Sequence, residues 1–328
     1  MTTTVLCQTS DSVIWNKEKF IIDLTMAATK GNVIINFNTE GPCCESIGLN
    51  AIIDHLVEKH GFDLTQFSII QTGNQLPSID VPTQKIHDGG LFIKKFANRP
   101  VQFTESSLEK RFAILIGRSN WIRLGLASYL WNYHRAQSAI TFHYNNDIDF
   151  HRANFGLEEF VQRYYQHKQQ AVNFLEQGPM TYEHIDSYPF ILGQGEMIHA
   201  LAPLYKTVFC EIVCETYFSG KTFHLTEKTL RPMLYKRPFI VQGPRHFVKN
   251  LKLLGFKTFD SWWDEGYDQD HHDSRYETIT NNIEWIAGQT DTTITRWYNE
   301  MQSILEHNYQ TAMSLTDNKV TDTDFYYE

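Results

Sequence analysis

Residues 214–244 read CETYFSGKTFHLTEKTLRPMLYKRPFIVQGP. The stretch holds the end of an apolar strand, a polar loop, a helix start at Thr226-Glu227-Lys228, and a second strand ending in Gln242-Gly243-Pro244. Strand, loop, helix and strand in that order are half of a parallel α/β unit. A helix N-terminus presents unpaired N–H groups and the positive end of the dipole, so it attracts anions. A lysine in that first turn opposes the dipole by a few tenths of a kcal/mol. Lys228 is better accounted for if an anion sits beside it, and Glu227 next to it has the geometry to accept from both hydroxyls of a ribose. The plainer reading is an N-cap at Thr226, a first-turn acid at Glu227 and a solvated Lys228. Pro232 falls inside the helical pattern and moves the expected start toward Thr229, leaving Lys228 just ahead of it.

Outward from this stretch the same alternation recurs. GNVIINFN (31–38) reads as a buried strand, SIGLNAIIDHLVEKHG as a helix ended by Gly61, FSIIQTGN (67–74) as a strand and LFIKKF (91–96) as another. A second unit begins with RFAILIG (111–117). A helix follows, capped by Ser119, and then AITFHY (139–144), a helical stretch over about 155–178, KTVFCEIVCET (206–216) as a strand, PFIVQG (238–243) as a strand, and a helix over 246–255. Helices are expected over about 274–289 and 293–313. The chain of 328 residues is long for one domain. The expected division is 1–108, 109–290 and a C-terminal helix and tail over 291–328. Two Rossmann-like units imply a ligand cleft beyond the carboxyl ends of the strands.

Segment 214–244 resembles the donor-binding region of the α-1,3-fucosyltransferases and related GT-B glycosyltransferases. Glu215 matches the acid at the first strand end. His224-Leu225-Thr226-Glu227-Lys228 matches the second element, with His224 where the family has tyrosine, and PFIVQGP matches the third. RFAILIGRSNWIRLGLASYL matches the strand and arginine-bearing helix that open the family's donor domain, with Arg118 and Arg123 as candidates. The resemblance covers about 111–260. It departs at Thr216, where the family has asparagine. It implies a GT-B fold, two Rossmann-like domains facing across a cleft, and sugar transfer from a nucleotide-sugar donor to an acceptor hydroxyl, inverting and metal-independent. It also implies that Lys228 and Arg118 or Arg123 neutralise the diphosphate, that Glu227 holds the ribose, and that Glu215 binds the sugar or holds the loop.

The acceptor side has no matching motif. Topology alone nominates Glu40, in the turn after strand 31–38, as catalytic base, and Asp88 second. No cofactor or metal is expected. Asp147-Ile148-Asp149 is a rival metal motif, set against a solvated turn. Asp270-His271-His272-Asp273 reads as solvated surface. Trp262 and Trp263 read as core, and His184 and His199 as structural.

The net charge of −9 argues against a grip on nucleic acid through phosphates. Lys94, Lys95, Arg99, Lys110 and Arg111 nevertheless form a local basic stretch. Two alternatives follow: a virus-type glycosyltransferase acting on hydroxymethylated DNA bases, and a non-catalytic nucleotide-sugar-binding protein. Five cysteines with no C-x-x-C pair, together with the absence of a leader-like start or a long apolar run, point to a reduced, cytoplasmic protein with no membrane span.

Overall fold

In the computed structural model the chain builds two parallel four-stranded sheets, each with its own hydrophobic core. The residues described are 1–7, 9–10, 13–14, 16–37, 47–71, 81–85, 106–117, 119–142, 156–178, 180, 201–215, 218, 223–270, 272–315 and 325–326.

The first sheet runs in sequence order. It consists of β1 (Thr2–Leu6), β2 (Asn32–Phe37), β3 (Phe67–Gln71) and β4 (Thr83–Lys85), each parallel to the next. Helix α1 (Lys17–Ala28) joins the first pair and α2 (Leu49–His60) the second. Val33, Ile35, Phe67 and Ile69 pack against Phe20 and Leu24 of α1 and Ile52, Ile53 and Leu56 of α2. Gly61 ends α2 in the left-handed region at φ 68°, where a side chain would be strained, and its N–H reaches the Val57 carbonyl. β1, α1 and β4 are additions to the sequence reading, and the expected strand at 91–96 lies outside the described residues.

The second sheet comprises β5 (Lys110–Ile116), β6 (Ser138–Phe142), β7 (Val208–Cys214) and β8 (Phe239–Gln242), in the order β8-β7-β5-β6. Helix α3 (Trp121–His134) links β5 to β6. The stretch expected as one helix over 155–178 is two, α4 (156–163) and α5 (Lys168–Glu176), separated by a 3-10 turn at Tyr165–His167. After α6 (Ala202–Thr207) comes β7, and then α7 (Glu227–Leu234) leads to β8. Helices α8 (Phe247–Leu253), α9 (His272–Ala287), α10 (Asp291–Glu300) and α11 (Gln302–Ser314) complete the unit. β7 is buried at every position, as a central parallel strand covered on both faces should be. Ile294 and Trp297 of α10, Leu305 and Ala312 of α11, and Met301 between the two helices belong to this second core, as does Trp263. Among the described residues no helix is long and apolar enough to cross a membrane.

Candidate functional site

The strand order of the second sheet reverses between β5 and β7. β5 passes through α3 to β6 on one side, and β7 passes through α7 to β8 on the other. Right-handed crossovers put such helices on opposite faces, with both N-termini at the carboxyl edge of the sheet. This is the topological switch point, where open α/β sheets bind ligands. Arg123, Glu215, Thr226, Glu227 and Lys228 all belong to the chain segments that meet there.

Helix α3 is capped by Asn120, whose side-chain oxygen accepts from the Arg123 N–H at 2.9 Å. The cap is therefore Asn120 rather than the expected Ser119, because only the asparagine side chain reaches the free donor of the first turn. The Arg123 side chain is buried, and its guanidinium donates to the backbone carbonyls of Glu215 and, at 3.4 Å, Cys214. Arg123 thus ties the start of α3 to the carboxyl end of β7. Arg118 lies outside the described residues.

Helix α7 begins at Glu227, with Thr226 as its cap. The expected start near Thr229 is corrected, and Lys228 lies inside the first turn. The Thr226 hydroxyl accepts from the Lys228 N–H at 3.1 Å. Pro232 is within the helix, where the only intrahelical bond it forfeits is the one to the Lys228 carbonyl. That cost is offset by how firmly α7 is held.

Glu215, 1% exposed, accepts from the Thr226 hydroxyl at 2.6 Å, the Thr229 hydroxyl at 2.5 Å and the Thr226 N–H at 3.4 Å. Its hydrogen bonds run to the cap and the first turn of α7. A buried carboxylate that accepts several bonds is firmly placed, and here it also complements the dipole of α7.

Further along the same face of β7, Glu211 is fully buried and forms an ion pair with Arg231 of α7. The Tyr205 hydroxyl donates to Glu211 and accepts from Arg231 Nε at 2.7 Å, while the Tyr205 ring stacks on Tyr235 at 4.2 Å. Two carboxylates, one in β7 and one just past its end, therefore fix one short helix. The sequence reading missed Glu211. The available signal was a carboxylate inside the otherwise apolar run FCEIVC, since a charge in such a strand needs a partner.

The groups that reach solvent are Glu227 and Lys228, with side chains 18% and 22% exposed. They pair at 2.9 Å, and Lys228 Nζ also lies 3.5 Å from the Thr226 hydroxyl. Burial pushes the Glu227 carboxyl up, but the charge and hydrogen bond of Lys228, its own backbone N–H and the Arg231 charge together hold it below its ordinary value. Burial pushes the Cys214 thiol up to about 12, with Arg123 and Lys228 pulling it the other way. Both cations therefore act on the end of β7. His224 is buried in the extended segment that enters α7.

Glu40 and Asp88, the acceptor-side candidates, lie outside the described residues, as do Asp147, Asp149, His184, His199, Lys94, Lys95 and Arg99. Lys110 donates to the Ala136 carbonyl, and Arg111 is buried and paired with Asp291, so neither of these two residues is a free cation. Asp270 is used locally, accepting from Thr278 at 2.9 Å and, through its carbonyl, from Arg275. Among the described residues no group of three or more His, Cys, Asp or Glu side chains is placed to hold a metal ion.

No protein-family model and no curated protein matches this chain. Among solved structures it is similar to the N-terminal domain of trehalose-6-phosphate phosphatase from Candida albicans, at 10% identity and a TM-score of 0.40. That match covers 94% of this chain and 74% of the other.

Proposed function

We propose that the protein is a glycosyltransferase of the GT-B kind, similar to the α-1,3-fucosyltransferases in its donor domain. It would move a sugar from a nucleotide donor to an acceptor hydroxyl. The observation that carries this reading is the meeting of the α3 and α7 N-termini at the switch point, with the Lys228 ammonium in the first turn of α7. Each helix N-terminus contributes about 0.3–1 kcal/mol toward an anion. A charge-assisted hydrogen bond from Lys228 adds about 1.5–3 kcal/mol. A diphosphate leaving group develops negative charge as the glycosidic bond breaks, and such preorganised donors stabilise that charge.

In this account Glu227 accepts from the ribose hydroxyls, and its depressed pKa keeps it ionised for that task. Arg118 joins Lys228 at the diphosphate. Arg123 and Glu215 are positioning residues that lock the two helix starts together through β7. The acceptor hydroxyl loses its proton to Glu40, or to Asp88, from the other Rossmann-like domain across the cleft. The nucleotide sugar is a substrate, and the reading invokes no metal or cofactor.

Incubation with a panel of nucleotide sugars tests the reading directly. The expected result is slow release of nucleoside diphosphate from one donor in water, accelerated by the right acceptor. Absence of release from every donor, with no thermal shift by any nucleoside diphosphate, would leave no enzyme to explain. Adding hydroxymethylated duplex DNA as acceptor separates the DNA-modifying alternative, whose turnover would fall steeply with salt.

A further inference from the structure

Two polar side chains at the carboxyl edge of the second sheet are buried without hydrogen-bond partners. Gln242, the last residue of β8, is 0% exposed, and neither its Nε2 nor its Oε1 is satisfied. Ser119, between the end of β5 and the cap of α3, is 7% exposed with an unsatisfied hydroxyl. Native proteins rarely leave such groups unpaired, because each costs about 1–3 kcal/mol.

Both groups lie beside the candidate site. Gln242 is in register with Cys214, and its carbonyl accepts from the Glu215 N–H at 3.0 Å. The Cys214 and Glu215 carbonyls are the ones Arg123 holds. Ser119 immediately precedes Asn120, the residue that fixes the Arg123 N–H.

We propose that Gln242 and Ser119 determine donor specificity by binding an uncharged group of the nucleotide sugar that presents a hydrogen-bond donor beside an acceptor. This rests on the nucleotide-sugar reading above. The chemistry of the amide selects the class. Gln242 offers one donating and one accepting group, so its partner must both donate and accept. An ionised phosphate only accepts and would leave Oε1 unpaired in a buried place. A nucleobase edge, or a sugar hydroxyl, satisfies both. The site then divides its labour, with Lys228 and the helix N-termini taking the diphosphate and Gln242 and Ser119 reading a neutral polar edge.

The test compares wild type, Gln242→Met and Ser119→Ala in thermal-shift and calorimetric titrations. The ligands are inorganic diphosphate, the nucleoside diphosphates of uracil, guanine, adenine, cytosine and thymine, their intact nucleotide sugars, the free nucleosides, and free hexoses. Wild type should prefer one nucleoside diphosphate. Gln242→Met should keep the response to inorganic diphosphate but lose about ten- to a hundredfold in affinity for the preferred nucleotide, levelling the panel. Ser119→Ala should shift the same preference by about tenfold.

If the neutral edge belongs to the base, free nucleosides reproduce the preference. If it belongs to the sugar, only intact nucleotide sugars or free hexoses do. Methionine also removes an unpaired amide, so Gln242→Met should raise the melting temperature of the free protein by about 2 °C or more. A lower melting temperature with unchanged selectivity makes Gln242 a structural residue and overturns the proposal. A preference that survives in both variants overturns it and leaves the diphosphate site standing. Failure of wild type to bind any nucleotide or diphosphate overturns both.

Discussion

Replacing Glu211 with leucine should destabilise the second core severely, and the size of the loss follows from what is left behind. Glu211 is fully buried, its partner Arg231 is 5% exposed, and the Tyr205 hydroxyl that bridges them is buried as well. Leucine fills much of the volume but leaves a buried guanidinium without its carboxylate and a tyrosine hydroxyl without its acceptor. Breaking a buried pair in this way costs about 3–5 kcal/mol. For a unit of this size that lowers the melting temperature by about 6–20 °C. Adding Arg231→Met removes the stranded charge, so the double variant should recover most of the loss, with a coupling energy above about 2 kcal/mol. Denaturant unfolding of the wild type, both single variants and the double variant measures this. Because Arg231 belongs to the helix that begins at Thr226-Glu227-Lys228, Glu211→Leu should also weaken nucleotide binding well below its melting temperature. A single-variant loss under about 1 kcal/mol, or a double variant no better than the sum of the singles, would refute the argument that this pair anchors α7.

Acid unfolding should report on Glu227. Its folded-state pKa lies below the ordinary 4.5, so it contributes stability above that value and loses it as pH falls through the lower folded pKa. Glu227→Gln should therefore lower stability at neutral pH and flatten the stability–pH curve below about pH 4.5, so that the two proteins converge in acid. Gly125→Ala should destabilise, because a Cβ there would lie 2.4 Å from the ring of the fully buried Phe160. Overpacking of about 1–3 kcal/mol exceeds the gain in helix propensity of up to about 1 kcal/mol, and urea midpoints would show the difference. Glu215→Gln should reduce nucleotide affinity without removing the helix, since the amide keeps one acceptor for Thr226 and Thr229 but loses the charge. Calorimetric titration against wild type checks it.

The second sheet was legible because its strands are long apolar runs. KRFAILI, VFCEIVC and FIVQ are buried on both faces, and such runs are hard to read as anything else once turn residues bound them. The site's backbone was legible for the same reason, since a strand end, a cap and a first-turn lysine can be placed by counting. β1 was missed because TTTVL is short and half exposed, and its partner, β2, lies beyond an intervening helix. The start of α7 was misplaced because Pro232 argues locally against a helix. The Glu215 and Glu211 contacts that overrule it come from another strand and cannot be seen in a window of neighbours. The roles of Arg123 and Glu215 illustrate the same limit. Sequence places a charged residue at a helix start or strand end, but only the fold shows that its hydrogen bonds go to the chain itself.

The central claim is that Lys228, in the first turn of α7, binds a diphosphate at the switch point. Titration of nucleoside diphosphates into wild type and Lys228→Ala, by calorimetry and with melting curves of both free proteins, tests it most directly. The account predicts a melting temperature for the free variant close to that of wild type, because Lys228 is a partly exposed cation at the wrong end of a helix dipole. It predicts, in the same samples, a loss of diphosphate affinity of at least about tenfold. Equal affinity in the two proteins would contradict it.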